Sequence, residues 1–390
     1  MPWKSVKMDQ LKEEFVKLCN QAKANKRELM RRFNISAPTG YKWLKRYEKY
    51  GADGLKERSR SRKSRHRQQI DIVTENSVIE LRKKYPDWGA RKLKRLLLNG
   101  GAEKAPSASA IHRAIKRHKL IPEILEGRGK GFTRFERSAP NDLWQMDYKG
   151  HFKMRNGIYC YPLTVCDDHS RYNLILSACI NQETETVMEK LERAFKRYGL
   201  PRQILCDNGG PWGCQIAHST HIETWLLRIG VEVIHGRPYH PQTQGKEERF
   251  HRTLKAELLS KTTVWDDTEH CQSLFDEWRK QYNNIRPHQA LDYKTPSEIY
   301  SISDRSFPSK IAEPSSFYLD DDEKKIVKTK GDITFKNRSF TIGRAFIGQK
   351  IALRHIKEEQ WDVYYCWKCL GKIDLSKTTK AKNYYESLIK

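Results

Sequence analysis

The passage 143-LWQMDYKG-150, with 158-IYCYPLTVCDD-168 and 171-RYNLILSACI-180 behind it, decides the fold. These runs are rich in aromatic and β-branched residues and are parted by turn residues at Asn156-Gly157 and His169-Ser170, so they predict a three-stranded antiparallel meander. A helical stretch follows from about 183 to 198, then the short apolar strand QILCD (203–207), a helix around Trp225 to Arg228, the strand VEVIH (231–235) and a long helix from about Gln244. Strands first and strand-helix alternation afterwards predict an α/β core over residues 141–300, a mixed sheet with helices on both faces.

Upstream the chain reads as all-α. Leu11, Phe15, Leu18 and Cys19 recur at helical spacing, and Asn25 with Glu28 three residues later makes a capping-box start. The stretch PTGYKWLKRYEKY (38–50) carries Tyr41, Leu44 and Tyr47 on one side and Lys42, Lys45 and Arg46 on another. An ordinary three-helix bundle shares the apolar pattern, but the uniformly basic polar face favours a helix-turn-helix DNA-binding domain over 1–55, with Tyr41, Lys42, Lys45 and Arg46 as DNA contacts. Between Lys56 and Arg67 seven residues are Lys or Arg against Glu57 alone, so 56–71 is expected to be an extended linker that tracks phosphates through Arg60, Arg62, Lys63 and Arg65. Val78 and Leu81, then Leu93, Leu96 and Leu97, then Ile111 and Ile115 behind Ser107 or Ser109, outline a second helix-turn-helix-like DNA-binding module over 72–122. A linker over 123–140 is marked by Pro122 and GRGKGF.

Downstream of the core, 301–315 reads as a linker. Short strand-like runs with Gly and Asn turns (IVKTKGDITF, KNRSFTIG, QKIALRHI, WDVYYCW, LGKIDL) predict a small β-barrel over 316–378, and 379–390 a disordered basic tail.

Of 390 residues, 74 are Lys or Arg and 48 Asp or Glu, a formal charge of +26 that points to a polyanionic partner, nucleic acid ahead of an anionic membrane surface. No apolar run approaches the roughly 20 residues that span a bilayer, and MPWKSVKMDQ has no signal-peptide core, so a soluble intracellular protein is expected. Nine cysteines without regular spacing read as reduced thiols. Cys366 and Cys369 lack a second pair and read as strand residues rather than zinc ligands.

Three carboxylates stand where structure alone does not call for them. Asp147 lies in an otherwise apolar strand, Asp207 ends QILCD just before Asn-Gly-Gly, and Glu248 lies early in the helix after HPQTQGK. Ligands of open α/β sheets gather at strand ends, so the two aspartates are expected side by side there, with Glu248 laid across them. Converging carboxylates repel unless cations neutralise them, and hard oxygen donors select Mg²⁺ or Mn²⁺, two ions for phosphodiester chemistry. Singly, each Asp reads better as a turn or cap, so the argument rests on the set. Asp167 and Asp168, in VCDDHSR, read as turn-forming or supporting residues.

The passages LWQMDYKG, LCDNGGPW, YHPQTQGKEERFHRTLK and YNNIRPHQAL, in this order, resemble the catalytic core of retroviral-integrase-like DDE transposases from bacterial insertion sequences. The flanking helix-turn-helix units and the C-terminal β-domain resemble that family as well. The resemblance implies a ribonuclease-H-like fold and identifies Asp147, Asp207 and Glu248 with the family's catalytic metal ligands. Its pattern Gly-Lys-x-Glu-Arg selects Glu248 over Glu247, and neighbouring helical residues point about 100° apart, so only one can face the aspartates. Arg252 and Lys255 resemble positions that contact DNA near the scissile phosphate, and Asn208 with Gly209 and Gly210 would let backbone approach DNA closely. Arg286 and His288 match a family motif whose role the sequence does not supply. Forty residues separate Asp207 from Glu248, somewhat more than is usual in the family, implying an enlarged loop around Gly213 to His221. Nothing matches the N-terminal His/Cys zinc unit of retroviral integrases.

The implied activity is DNA transposition, with hydrolysis of 3′ ends and transfer of the 3′ hydroxyls into target DNA. The implied partners are double-stranded terminal inverted repeats, target DNA and at least one further copy of the chain, in a bacterial cytoplasm near the nucleoid. Two other readings stay open: a nuclease of the same fold that cuts without joining, and a catalytically silent, transposase-derived DNA-binding regulator.

Overall fold

The computed structural model describes residues 8–56, 70–121, 136–207, 220–235, 245–379 and 382–387, and it divides into Met1–Gln69 and Ile70–Lys390.

In the first unit, α1 (Met8–Cys19), α2 (Lys26–Arg32) and α3 (Ala37–Tyr50) enclose Phe15, Val16, Cys19, Met30 and Leu55. Asn25 caps α2 by accepting from the Glu28 N–H at 3.3 Å, as its spacing predicts. Gly40 is where α3 meets α2, and a Cβ there would lie 2.6 Å from the Met30 side chain. Leu44 and Tyr47 pack inward as expected. Tyr41, expected on that apolar side, is instead 49 % exposed, because Trp43 takes the inward position next to Leu44. Lys42 and Arg46 lie 5.6 and 5.1 Å from the Trp43 ring. Arg60, Arg62, Lys63 and Arg65 lie outside the described residues.

The second unit begins with α4 (Ile72–Lys84), α5 (Ala90–Asn99) and α6 (Ala108–Arg117), closed around Val78, Tyr85, Trp88, Leu93, Ile111 and Ile115. Ser107, not Ser109, caps α6. The core sheet then runs β1 (Leu143–Tyr148), β2 (Phe152–Lys153), β3 (Tyr159–Asp167), β4 (Asn173–Cys179), α7 (Thr184–Tyr198), β5 (Gln203–Cys206), α8 (His221–Arg228) and β6 (Glu232–His235). β1, β3 and β4 form the expected antiparallel meander, while β5 and β6 add parallel to β1. Side chains alternate across the sheet. Trp144, Leu163, Val165 and Ile204 face α7 and α8, whereas Cys160, Cys166, Leu176 and Ala178 face α9 (Gly245–Leu254) and α10 (Thr268–Asn284). α10 is absent from the sequence reading, although Cys271, Phe275, Trp278 and Tyr282 recur at helical spacing and are buried. Its run of polar residues between those four masks the stripe.

The 301–315 stretch is bound to the core rather than free. Ser303 N donates to the Tyr198 carbonyl at 2.9 Å, Leu200 N to Arg305 O at 2.7 Å, and Phe307 stacks on Phe195. After α11 (Pro296–Ile299) come β7 (Glu323–Ile326), β8 (Asp332–Phe335), β9 (Arg338–Thr341), β10 (Lys350–Lys357), β11 (Gln360–Tyr365), β12 (Lys368–Thr379) and β13 (Lys382–Ser387). Among the described residues these make a five-stranded sheet ordered β13-β12-β11-β10-β7 and a β8-β9 hairpin, without a ladder that closes them into one barrel. Within the expected disordered tail, Lys382–Ser387 form β13, which pairs antiparallel with β12, while 380, 381 and 388–390 lie outside the described residues. Backbone ladder bonds do not depend on side-chain charge, so lysines alone do not forbid a strand. Cys366 is buried in the β11–β12 turn and Cys369 lies in β12. Among the described residues no helix is long and apolar enough to cross a membrane.

Candidate active site

Asp147 occupies the β1 position whose neighbours Trp144 and Met146 point into the α7–α8 core, so pleating turns Gln145 and Asp147 toward α9. β1 pairs with β5 in register Leu143↔Gln203 through Gln145↔Leu205. The same offset carried two residues further sets Asp207 level with Asp147 at the carboxy ends of the two strands. Burial, and next the Asp207 charge, push the Asp147 carboxyl up to about 6. His235, at the end of β6, contacts the Asp207 carbonyl through Nδ1 at 3.1 Å, and its Nε2 meets the buried Glu223 carboxylate that also caps α8. Burial works against a proton on His235, but Glu223 outweighs it and raises the imidazole above its ordinary value. These contacts fix the backbone from which Asp207 projects.

The third side of the site is α9. Glu247, Phe250, His251 and Leu254 face inward, at i, i+3, i+4 and i+7, whereas Glu248, Arg252 and Lys255 form the exposed face. Thr164, the cross-strand partner of Asp147, joins the two sides: its hydroxyl lies 2.9 Å from the Asp147 carbonyl, 2.7 Å from Glu247 Oε1 and 2.8 Å from His251 Nε2. One hydroxyl has one proton and the Asp147 carbonyl can only accept it, so Glu247 and His251 must each donate back. Burial pushes Glu247 up to about 8, which makes its carboxylic acid available as one of those donors. Burial and then Lys149 push His251 down to about 3, so its 3.7 Å approach to Asp147 is a dipolar contact rather than an ion pair.

Lys246 anchors the start of α9. Its ammonium lies 2.5 Å from Asp168, whose other oxygen accepts from Gln145 at 2.6 Å. Asp167 accepts from Ser170 N and Oγ at 2.7 and 2.6 Å and from Asn141 N at 2.7 Å. Both aspartates of VCDDHSR are thus engaged in the β3–β4 turn, as the sequence reading has them.

The structure therefore brings Asp147 and Asp207 together and leaves Glu248 on the outer face of α9. Among the described residues no three His, Cys, Asp or Glu side chains are gathered closely enough to hold a metal ion. The aspartate pair by itself suits a hard divalent cation, because two neighbouring carboxylates lose their mutual repulsion when one binds. Asn208, Gly209, Gly210 and most of the expected loop at 213–221 lie outside the described residues. Thr164, Lys246 and His251 escape the sequence reading, and Glu247 is named there only to be set aside for Glu248. Lys246, Glu247 and His251 lie in its key passage, but which face of α9 is buried depends on the sheet beneath it.

Integrase core domain models match residues 137–241 and 229–296, and a model of the C-terminal domain of IS481 family transposases matches 322–381. Over these stretches the chain carries domains found in insertion-sequence transposases of the integrase-like superfamily. A helix-turn-helix domain model matches 11–63 of this chain and a homeodomain-like model 39–115. It is 28 % identical over 162 residues to a protein of insertion element IS407 from Burkholderia multivorans, covering 41 % of this chain and 56 % of the relative. A protein of insertion element IS476 from Xanthomonas euvesicatoria is 24 % identical over 56 % of this chain and 57 % of its own length. The matched stretches thus span little more than half of these two relatives. Transposase InsD of Escherichia coli is 24 % identical over 61 % of this chain and 80 % of its own. The catalytic core domain of BIV integrase superposes with a TM-score of 0.32 at 26 % identity, over 41 % of this chain and 93 % of that one.

In this chain the YNNIRPHQAL passage has a structural role. Arg286 pairs with Glu257 at 2.9 Å, both nearly buried, and the same carboxylate oxygen accepts from the Trp88 indole at 3.2 Å. Glu257 rides on the π-helical turn Lys255–Leu259 that continues α9. His288 is buried edge-on against Tyr282, 4.8 Å between centroids, and burial followed by Arg286 holds it well below its ordinary range. The motif thereby fastens the α4–α6 unit to the core, with Lys261–Asp87 and Arg95–Glu298 as outer contacts.

Proposed function

We propose that the chain is a DNA transposase whose helical modules bind the terminal inverted repeats of its insertion sequence while the core hydrolyses the 3′ ends and transfers the 3′ hydroxyls into target DNA. The observation that carries this reading is the Asp147–Asp207 pair, level at the carboxy ends of two parallel strands in an integrase-like core. Asp147, Asp207 and Glu248 would hold Mg²⁺ or Mn²⁺, two ions, with Glu248 joining the aspartates when DNA and metal are present. When bound, such ions activate the attacking water or hydroxyl and neutralise charge at the departing 3′ oxygen.

The chain's own residues supply position. Thr164 and His251 hold the Asp147 strand against α9, Lys246 fixes the start of α9, and His235 holds the Asp207 backbone. Arg252 and Lys255, exposed on the Glu248 face, would take phosphates beside the cleaved bond. Tyr41, Lys42, Lys45 and Arg46 on α3 would contact the terminal repeat, with Arg60, Arg62, Lys63 and Arg65 following its backbone and Asn208 lying close to the cleaved strand. Joining two ends to one target needs two active sites, hence at least a dimer on DNA. The C-terminal sheets would form one small barrel in that assembly.

The test uses labelled end oligonucleotides, a target plasmid and Mg²⁺. Wild type should give recessed 3′ ends and covalently joined products, and Asp147→Asn or Asp207→Asn should lose both by about a hundredfold or more while still binding DNA. Cleaved ends that never join target would favour the nuclease. Unchanged processing by Asp207→Asn would remove the site assignment altogether.

A further inference from the structure

Where the α4–α6 unit meets the core, a cleft of about 540 Å³ opens between the starts of α5 and α6 and the loop after YNNIRPHQAL. Arg91, Lys92, His112 and Arg113 line it from the helical side and Tyr293 from the core, and no carboxylate is among its lining residues. Arg91 reaches across to the Tyr293 hydroxyl at 3.4 Å, so the walls belong to one construction. Arg113 and His112 are exposed on one face of α6, with Ser109 at i−3 from His112, where a groove-entering helix presents its readers. Lys92 is half-buried at the floor; burial, and then Arg286, push its ammonium down to about 8. A cation kept in such a place is stabilised by an anion that enters the cleft. The first turns of two helices open onto the same space, which adds to the positive potential.

We infer that this cleft is a duplex-backbone clamp, in which DNA phosphates seat between α6 and the 289–293 loop and are held by Arg91, Lys92 and Arg113. The Arg286–Glu257–Trp88 contact braces its two walls, so a helical module and the catalytic core grip one duplex together. This rests on the transposase reading above and names a partner contact that reading leaves unassigned.

The full chain is titrated with a fluorescent duplex of one element end over a range of KCl concentrations. Arg91→Ala/Arg113→Ala is compared with wild type and with the charge-matched control Arg193→Ala/Lys196→Ala on the outer face of α7. The clamp variant should weaken binding about tenfold or more near 0.15 M salt and flatten the log Kd against log [salt] slope by about 2, with unchanged melting. The control should match wild type, and Arg91→Lys/Arg113→Lys should keep the slope, since lysine carries the same charge. Coincident slopes for wild type and clamp variant, or an equal loss in the control, would overturn the clamp while wild type still binds and processes ends. A wild type that binds no duplex would overturn both the clamp and the reading beneath it.

Discussion

Glu247 and Glu248 are adjacent in the chain and opposite in environment. Glu247 is 3 % exposed with Oε1 on Thr164, whereas Glu248 stands on the outer face of α9 with Arg252 and Lys255. If Glu248 is the metal ligand, Glu248→Gln abolishes end cleavage, by about a hundredfold or more, because the amide cannot replace an anionic donor. Glu247→Gln keeps a donor for Thr164, an amide N–H in place of the acid O–H, and should leave cleavage within about tenfold of wild type, as expected of a supporting residue. The same oligonucleotide assay decides it: the reverse ranking would move the third ligand to Glu247. Sequence alone names both glutamates and both aspartates. It does not reveal that the sheet buries Glu247, since that follows from how Phe250 and Leu254 orient the helix.

At the scale of elements, the most buried polar contact that the YNNIRPHQAL passage makes with the α4–α6 unit centres on one carboxylate. Glu257→Ala leaves the Arg286 guanidinium and the Trp88 N–H without their shared acceptor in a nearly buried place, a cost of about 3 kcal/mol. Chemical denaturation should show that loss, and a variant as stable as wild type would mean the contact contributes little. In the C-terminal sheet, Arg354 on β10 meets the buried Asp322 with paired bonds of 2.9 and 2.8 Å and holds its carboxyl below the ordinary range. A depressed folded-state pKa gives stability that is complete above the unfolded value, near 3.9, and lost as pH falls through the folded one. Asp322→Asn should therefore be less stable than wild type at pH 7, with the gap narrowing below about pH 4 in urea unfolding. A gap independent of pH would show that the charge plays no part. The strands from β7 to β12 were legible as alternating runs, but the barrel expected of them is not closed among the described residues, and β13 was not legible, because its partner is an open strand edge that no local pattern announces.

For the whole molecule the dominant physical fact is a formal charge of +26. If duplex DNA is the partner, raising salt from about 50 to 200 mM should weaken binding by about a thousandfold, as phosphate contacts release fewer counterions' worth of free energy. Binding that ignores salt would remove the electrostatic basis of the reading. The order of modules, the mixed sheet and the two aspartates at strand ends were determined by the sequence, because hydrophobic periodicity and turn residues act locally and strand alternation leaves few topologies. Only the tertiary structure decided which glutamate is buried, what Arg286 and His288 hold, and that the 301–315 stretch and the second helical module pack against the core. Those outcomes depend on contacts between residues far apart in the chain, such as Trp88 with Glu257 and Thr164 with Glu247, and no local pattern encodes them.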